Sequence, residues 1–313
     1  MIVVIGSINM DLVLHVPRMP LPGETLTGGA FQTIPGGKGA NQAVACARLG
    51  RQPVAMVGCV GDDAFGQTLR AALVSDGIDV SHVTQLAGVA SGIASILVDA
   101  SGQNSIVIAG GANDLLTPGH IDAALPMLQR ASIVVLQLET PPATVRHAIA
   151  VAHGLGKTVV LNPAPAASLP AAVLAQVDYL IPNEIEAAML LGAATASAAD
   201  AGDHAAALRA RGCRNVLVTL GSKGVHAALA GGTRDFPAQA VKAIDTTAAG
   251  DTFIGGFVAA LAAGAAPASA IDLGQRAAAI GVTRHGAQTS IPYLHELEPS
   301  LKKARFSTSH CRS

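Results

Sequence analysis

Short apolar runs rich in Val and Ile recur along the chain, and longer stretches with apolar residues at every third or fourth position separate them. The runs are typical of buried strands and the longer stretches of helices. The predicted strands cover residues 2–5, 54–60, 133–138, 159–161, 179–181, 216–220 and 225–229. In the second half, the predicted helices cover residues 142–154, 184–191, 199–211, 250–263 and 268–283. This alternation predicts an α/β fold with a mostly parallel sheet covered by helices on both faces.

More polar alternating segments predict short exposed strands at residues 12–16, 24–34, 93–99 and 105–109. The last two flank Ala100–Gln103, so a β-hairpin is expected there. Asp62 or Asp63 is expected to cap the helix that follows residue 60, and Thr117-Pro118 is expected to start another helix.

Polar residues recur where the predicted strands end, at Asn9, Glu139, Asn162, Asn183 and Thr219. In a parallel sheet the carboxyl ends of the strands meet at one edge, and ligands bind in the crevice there. Any one of these residues is equally typical of a turn. Their recurrence favours a shared site.

The glycine-rich stretch Gly36–Asn41 leads into a predicted helix. Its glycines let the backbone approach a ligand, and Lys38 and Asn41 add polar groups. It is not a nucleotide-binding P-loop, because Gly39 rather than Ser or Thr follows the lysine. A glycine-rich helix entry with a solvated lysine is the structural alternative.

The segment Asp245–Phe253 joins an extended apolar stretch to another predicted helix. Its small residues Ala248, Ala249 and Gly250 allow backbone N–H groups to approach an anion, and the helix adds the positive end of its dipole. Asp251 places a carboxylate inside this site, which suits phosphoryl transfer to a hydroxyl group, where developing negative charge and a proton must be handled together. A carboxylate at a helix N-terminus is expected to have a lowered pKa. A plain helix cap with a first-turn acid is the structural alternative.

Composition limits the possible partners. With 20 Lys and Arg against 21 Asp and Glu, the net charge is −1, so we expect neither nucleic acid nor an anionic membrane as a partner. Four scattered cysteines, Cys46, Cys59, Cys213 and Cys311, fit neither a zinc site nor a disulfide framework and favour a reducing compartment. We see no signal peptide and no membrane-spanning run, and we therefore expect a cytoplasmic protein.

Seven blocks of the sequence match one known family in the family's order. Three blocks carry the match, namely Gly6–Asp11, Gly36–Ala43 and Asp245–Phe253. The other four cover residues 162–165, 182–186, 219–224 and 286–288. On these blocks the chain resembles the ribokinase/fructokinase type of carbohydrate kinases over residues 1–295.

The resemblance implies a single ribokinase-like kinase domain over residues 1–295, followed by a polar tail over 296–313. It implies a small β-sheet lid built from residues 12–17, 24–34, 91–99 and 104–110. In such kinases two lids clasp each other, so a homodimer is implied. The implied reaction is ATP-dependent phosphorylation of D-ribose at the 5-hydroxyl, giving ribose 5-phosphate and ADP. Mg²⁺ would accompany ATP, and K⁺ would act as an activating cation.

The functional positions of that family carry over residue by residue. Its sugar-binding positions match Asn9, Asp11, Gly37, Lys38, Asn41, Glu139 and Asp251. Its general base matches Asp251, and its anion hole matches Ala248, Ala249 and Gly250. Its positions for ATP and magnesium match Asn183, Glu186, Thr219, Gly221, Ser222, Gly224, Gly250 and Gln275. The loops that hold K⁺, largely through backbone carbonyls, match Asp245, Thr247, Gly281, Arg284, Gly286 and Ser290.

Two positions depart from the family pattern. Gln275 stands where some members carry His against the nucleotide. Met10 stands where Ala is frequent, so added bulk beside the sugar pocket is expected. A kinase of the same family acting on 2-deoxyribose, another sugar or a nucleoside is therefore the alternative.

Two other classes of protein are disfavoured. A non-catalytic sugar- or nucleotide-binding protein would be expected to lack the Asp251 carboxylate or the Lys38 loop, and both are present. A nicotinamide-dependent dehydrogenase would carry Gly-x-Gly-x-x-Gly after its first strand, and this chain does not.

Overall fold

The computed structural model describes residues 1–193 and 196–297, and its centre is a nine-stranded sheet. All strands are numbered in chain order, and the skipped numbers belong to a smaller sheet described below. The strands of the central sheet are β1 (Ile2–Ile5), β4 (Val54–Gly61), β5 (Asp79–Leu86), β8 (Ile133–Leu136), β9 (Thr158–Leu161), β10 (Tyr179–Leu180), β11 (Asn215–Thr219), β12 (Val225–Leu229) and β13 (Gly232–Phe236). They pair in the order β13-β12-β11-β10-β9-β8-β1-β4-β5. Only the β11–β12 and β12–β13 pairs are antiparallel. The prediction of a mostly parallel sheet is confirmed.

The middle strand β1 shows why the sheet forms. It lies between β4 and β8, with Ile2 and Val4 in one hydrophobic cluster and Val3 and Ile5 in the other. Side chains of a strand alternate between the two faces, so a strand covered on both sides must be apolar throughout. The run of Val and Ile meets that requirement.

Helices cover both faces of the sheet. One face is covered by α1 (Lys38–Leu49), α2 (Ala64–Ser75), α9 (Ala249–Ala262) and α10 (Pro267–Gly281). The other is covered by α3 (Pro118–Ala123), α4 (Leu125–Arg130), α5 (Pro142–Gly154), α6 (Ala171–Leu174), α7 (Glu184–Leu191) and α8 (Ala201–Ala210). Short 3₁₀ turns lie at Gly111–Leu115, Ala198–Asp200 and Gly221–Lys223. Of the two caps considered for α2, the structure uses Asp63, whose side chain accepts a hydrogen bond from Gly66 N.

A separate four-stranded sheet corresponds to the predicted lid. It consists of β2 (Asn9–His15), β3 (Phe31–Gly36), β6 (Gly92–Val98) and β7 (Asn104–Ala109), in the order β3-β2-β6-β7. The predicted hairpin is the antiparallel pair β6–β7. The strand predicted over 24–34 is wrong for residues 24–30, which have no regular structure.

Two edge strands were not predicted. β5 reads Asp-Val-Ser-His-Val-Thr-Gln-Leu, and of its eight residues only Val83 is buried. β13 has four exposed residues and one buried residue, Phe236. An edge strand is held by backbone pairing on one side and needs little apolar surface, so its sequence carries a weak pattern.

The predicted tail begins two residues inside ordered structure. Residues 294–297 form a helical turn, and the side chain of Leu297 is buried. The Leu297 carbonyl accepts a hydrogen bond from Arg276 Nη2 at 2.5 Å. The rest of the predicted tail, residues 298–313 with Cys311, lies outside the described residues. Within the described ranges, none of the helices has the length and apolar character needed to cross a bilayer.

Candidate active site

Helix α9 begins without a side chain to cap it. Its N-cap residue is Ala248, which adopts the left-handed conformation with φ 57° and ψ 13°. Since the first amides of a helix have no carbonyl partner inside the helix, the N–H groups of Gly250 and Asp251 remain available to a ligand. A Cβ atom at Gly250 would meet no heavy atom within 4 Å, so the backbone here borders open space. The helix start therefore presents unpaired N–H groups to open space, as the predicted anion site requires.

The carboxylate of Asp251 sits on this first turn and is 7% exposed. Asn41 Nδ2 donates to its Oδ2 at 3.0 Å, and Gln42 Nε2 donates to its Oδ1 at 2.9 Å. Both donors lie on α1, and α9 packs against α1. The glycine-rich stretch and the segment Asp245–Phe253 thus meet at one carboxylate.

The expectation of a lowered pKa for Asp251 is wrong. Burial raises the pKa of this carboxyl, and this effect outweighs the Lys38 charge and the hydrogen bonds from Gln42 and Asn41, which lower it. Because a base with a raised pKa accepts a proton more readily, the environment makes Asp251 a stronger base than its helix position alone would.

Four of the predicted sugar-binding residues lie on two elements of the structure. Asn9 and Asp11 are on β2, while Lys38 and Asn41 are on α1. Gly37 lies at φ 87°, and a Cβ there would come within 2.7 Å of Asn9 N. Only glycine allows this close approach of the two backbones.

Glu139 follows β8 and is tied to the same group. Ser7 Oγ donates to Glu139 Oε2 at 2.6 Å, and Lys38 N donates to the same oxygen at 3.2 Å. Gly39 N in turn donates to Ser7 Oγ at 3.3 Å. These bonds fix the start of α1 against the ends of β1 and β8.

The charges in this group are strongly coupled. Burial together with the charges of Glu139 and Asp251 raises the pKa of Asp11 to about 7, although Lys38 lowers it. Burial lowers the pKa of Lys38, but the charges of Asp251, Glu139, Glu186 and Asp11 outweigh it and leave that pKa raised. Lys38 is therefore a cation held among carboxylates.

A cavity of about 370 Å³ lies in front of α9. Its predicted members are Lys38, Asn183, Glu186, Thr219, Gly221, Ala248, Ala249, Gly250 and Asp251. Asn183 and Thr219 form a parallel bridge, so two strand ends meet at the cavity. Asn183 and Glu186 also form a capping box, in which Glu186 Oε2 accepts from Asn183 N at 2.8 Å and Asn183 Oδ1 accepts from Glu186 N at 2.7 Å. Asn183 and Glu186 therefore cap the start of α7 and are also two of the residues predicted to bind ATP and magnesium.

A second, more apolar cavity of about 480 Å³ adjoins the first. The two share Thr219, Gly221, Thr246, Ala249 and Gly250. Of the predicted nucleotide residues, this second cavity also has Ser222, Gly224 and Gln275 in its walls. The rest of the wall is largely apolar and includes Ala238–Val241, Phe253 and Val282. A small polar cavity that opens into an apolar one fits a phosphate chain joined to a flat heterocycle.

The predicted cation loops are held together by Asp245. Its Oδ1 accepts from Thr247 N at 2.9 Å and from Thr247 Oγ1 at 2.6 Å, and its Oδ2 accepts from Gly286 N at 2.8 Å. Although burial raises the pKa of Asp245, these hydrogen bonds lower it below its ordinary value. Arg284 directs its guanidinium to Glu296 at 2.5 Å, so the charge of this side chain is paired with Glu296.

No group of three or more His, Cys, Asp or Glu side chains suited to a metal occurs in residues 1–193 and 196–297. The monovalent cation site that the family resemblance implies, built largely of backbone carbonyls, stays a prediction.

Several polar residues of the site were not predicted from the sequence. Asn113 Oδ1 accepts from Ile8 N at 2.9 Å, and Asn113 Nδ2 donates to Asn9 Oδ1 at 2.7 Å. Gln42 contacts Asp251 directly, as described above. Gln42 lies inside a recognised block, but Asn113 lies in a 3₁₀ turn with no motif around it. Only the tertiary structure shows the role of Asn113.

The expectation that Met10 crowds the sugar pocket is wrong. Asn9 and Asp11 alternate with Met10 along β2, so Met10 faces the opposite side of the strand. Its side chain is 2% exposed and belongs to the hydrophobic core together with Ile8. Met10 therefore packs in the core, on the face of β2 opposite to Asn9 and Asp11.

Comparison with known proteins identifies the relatives of this chain. The model of the pfkB family of carbohydrate kinases matches residues 1–294. A ribokinase from Haemophilus influenzae is 44% identical over 301 residues, covering 96% of this chain and 98% of the relative. A ribokinase from Schizosaccharomyces pombe is 41% identical over 313 residues, covering 96% of this chain and 98% of the relative.

Among solved structures, that of Arabidopsis thaliana ribokinase complexed with ribose and ATP superimposes with a TM-score of 0.87. It is 32% identical and covers 96% of this chain and 98% of its own. The match extends over both the central sheet and the small sheet.

Proposed function

The chain belongs to the pfkB family of carbohydrate kinases, and we propose that it transfers the γ-phosphoryl group of ATP to the 5-hydroxyl of D-ribose, giving ribose 5-phosphate and ADP. The observation that carries this proposal is the meeting of the two cavities at Ala249 and Gly250, within one turn of helix from the buried Asp251. ATP fits the pair of cavities, with its base in the apolar one and its phosphates at the start of α9.

Ribose is the proposed acceptor because its hydroxyls match the polar groups on β2 and α1. Asp11 and Glu139 offer acceptors, while Lys38 and the Nδ2 group of Asn9, whose Oδ1 already accepts from Asn113, offer donors. Asn41 Oδ1 is buried and has no partner among the described residues, so it is an acceptor available to a sugar hydroxyl. The relatives named ribokinase and the ribose-bound structure support this choice.

Asp251 is the proposed general base. Each of its oxygens receives one amide hydrogen bond and retains a lone pair for the proton of the 5-hydroxyl. The predicted anion hole at Ala248, Ala249 and Gly250 is the proposed place for the charge that grows on the transferred phosphoryl group. Because Ala249 N already donates to the Thr246 carbonyl at 3.2 Å, the amides of Gly250 and Asp251 are the proposed donors. Lys38 adds a positive charge to the same cavity. Phosphoryl transfer needs positioning and charge stabilisation more than strong deprotonation, and these groups supply both.

Mg²⁺ is the proposed partner of ATP, and it would offset the negative charge of the phosphates. Glu186 lines the phosphate cavity with Asn183 beside it, and oxygen ligands supplemented by water suit this ion. K⁺ is the proposed occupant of the loops around Asp245, Thr247, Gly281, Arg284, Gly286 and Ser290. The lowered pKa of Asp245 keeps a negative charge there, which fits a cation.

The small sheet is the proposed lid of the sugar site, since β2 carries both Asn9 and Asp11. A homodimer through this sheet and a cytoplasmic location complete the proposal. A lid that excludes water also limits wasteful hydrolysis of ATP.

The test is a turnover assay with ATP and a panel of ribose, 2-deoxyribose, fructose and adenosine, run on the wild type and on Asp251→Asn. Ribose is expected to give the highest kcat/KM. Asp251→Asn is expected to lower kcat by ~10² or more with little change in ribose affinity, because the base is lost while the sugar contacts remain. Near-normal turnover of this variant would remove Asp251 from the base role. A preference for another member of the panel would reassign the substrate.

A further inference from the structure

Gln42 makes a set of contacts around Asp251 that the proposed mechanism leaves unused. It lies on α1 and is fully buried. Its Nε2 donates to Asp251 Oδ1 at 2.9 Å and to Asn162 Oδ1 at 3.1 Å. Its Oε1 accepts from Gln137 Nε2 at 2.7 Å. All three of these partners are themselves buried.

The Asp251 carboxylate and the Asn162 amide fix the direction of the Gln42 side chain. Because both present acceptor oxygens, the Gln42 Nε2 group must point toward them, and its Oε1 then faces the donor Gln137 Nε2. The reversed amide would place its oxygen against the carboxylate and lose both donated bonds. Asn162 is held in turn, since its Nδ2 donates to the carbonyl of Ile181 at 2.9 Å.

We propose that Gln42 is a positioning residue for the general base: it holds the Asp251 carboxylate in one orientation toward the acceptor hydroxyl, and Gln137 holds Gln42. This inference rests on the proposed function, in which Asp251 receives the proton. Without the Oδ1 contact, the carboxylate keeps only the bond from Asn41 and can rotate about its last side-chain torsion.

The contacts of Gln42 also predict the direction in which the pKa of Asp251 changes when Gln42 is replaced. The charged groups that act on Asp251 are Lys38 on α1, Glu139 after β8, Asp11 on β2 and Glu186 on α7. Gln42 adds a neutral donor that stabilises only the ionised form of the carboxyl. Removing that donor while every charge stays in place raises the pKa of Asp251, so the protonated, inactive form persists to higher pH.

The direct test is a ¹³C NMR titration of carboxyl-labelled aspartate in the wild type and in Gln42→Met, with the Asp251 signal assigned from Asp251→Asn. Met is close to Gln in shape and has no N–H donor. The Asp251 titration is expected to move to higher pH by roughly one unit. In kinetics, the acid limb of the kcat–pH profile is expected to move the same way, with kcat lowered by about 10- to 100-fold at its plateau.

A variant that merely unfolds more easily would lose active protein without moving either titration. Gln67→Met, an exposed glutamine replaced on α2, is the matched control and is expected to behave as the wild type. Unchanged titrations in Gln42→Met would overturn the proposal. The NMR experiment needs no turnover, so a protein that phosphorylates no sugar would refute the proposed function and still leave the role of Gln42 decided.

Gln137→Met tests the same series of hydrogen bonds, in which Gln137 contacts Gln42 and Gln42 contacts Asp251. It is also the second test of the proposal if Gln42→Met does not fold. It is expected to move the Asp251 titration in the same direction by a smaller amount. In the double variant it is expected to add nothing to Gln42→Met, because it acts through Gln42. Additive shifts would show that Gln137 acts on Asp251 by another route, which would overturn its part in the proposal.

Discussion

At the scale of single residues, the site contains carboxylates whose ionised form is disfavoured by burial. Asp11 is nearly buried, lies within the field of two other acids, and has its pKa raised to about 7. An acid held in this state destabilises the folded protein whenever it is ionised. Its proposed role in sugar binding would therefore lower the stability of the free protein.

Replacing Asp11 tests whether this acid lowers the free energy of unfolding while it strengthens the binding of ribose. The folded-state pKa of Asp11 lies above the unfolded value, so the folded protein binds the extra proton between pH 3.8 and about 7. Its contribution to stability is therefore lost as the pH rises through that window. Asp11→Asn is expected to raise the free energy of unfolding by about 2 to 4 kcal/mol at pH 8 and by less at pH 5, in urea titrations without sugar.

The same variant is expected to bind ribose more weakly by roughly 10- to 100-fold, because a charged acceptor is lost. Asp203→Asn, at an exposed position of α8, is the control and should leave the difference between pH 5 and pH 8 as in the wild type. Equal stabilisation at both pH values would mean that Asp11 is not held near neutrality.

At the scale of elements, the distance between α1 and α9 decides the geometry of the site. Asn41 and Gln42 project from α1, and Asp251 lies on α9. The helices approach closely at Gly255, where a Cβ would collide with the Cβ of Ala45 and lie 2.9 Å from Cys46 N. Packing at this glycine therefore sets the hydrogen bonds at the Asp251 carboxylate, the proposed general base, about one turn away.

Gly255→Ala measures this dependence. In an ordinary helix the change stabilises by up to about 1 kcal/mol, but here it must push two backbones apart and is expected to destabilise by about 1 to 3 kcal/mol. Because the shift reaches Asn41 and Gln42, kcat should fall as well. Gly154→Ala is the matched control, since Gly154 ends α5 and a methyl group there would meet no heavy atom within 4 Å.

In that control, stability should stay level or rise slightly in urea unfolding, with kcat unchanged. A Gly255→Ala protein as stable and as active as Gly154→Ala would mean that α1 and α9 can separate without affecting the site.

The sequence pattern predicted elements well where burial dictates residue type. α5, α7 and β12 begin and end close to the predicted residues, since a covered strand must be apolar and a helix packed on one side must be amphipathic. The pattern missed β5 and β13, where backbone pairing at an edge takes the place of burial.

At the scale of the whole molecule, the motifs located the site but not the hydrogen bonds that connect it. The predicted sugar and anion residues come together, because the blocks that carry them stand at strand ends and helix starts of one sheet edge. Asn113, Gln137 and Gln42 join residues 95 to 209 positions apart in the chain, and no local pattern records such contacts. The raised pKa of Asp251 was missed for the same reason, since burial is a property of the assembled core.

The small sheet presents a surface that the described chain does not cover. Ile106, Val107 and Ile108 are 52%, 72% and 48% exposed on β7. Successive side chains of a strand point to opposite faces, so neither face of β7 is packed. β7 also ends the sheet order and leaves one edge unpaired among the described residues. An exposed apolar edge strand is a surface for another strand or sheet, and the proposed homodimer would cover it.

Val107→Lys tests this arrangement, because a lysine on an edge strand opposes pairing with a second chain. The wild type is expected to sediment as a dimer, and the variant as a monomer of 31.3 kDa.

Val74→Lys, an equally apolar position 55% exposed on α2, is the control and should remain dimeric. A dimeric Val107→Lys protein would place the contact between subunits elsewhere, and a monomeric wild type would leave β7 without its proposed partner. Since β2 pairs directly with β6 in the same sheet, loss of the dimer should also raise the KM for ribose through Asn9 and Asp11.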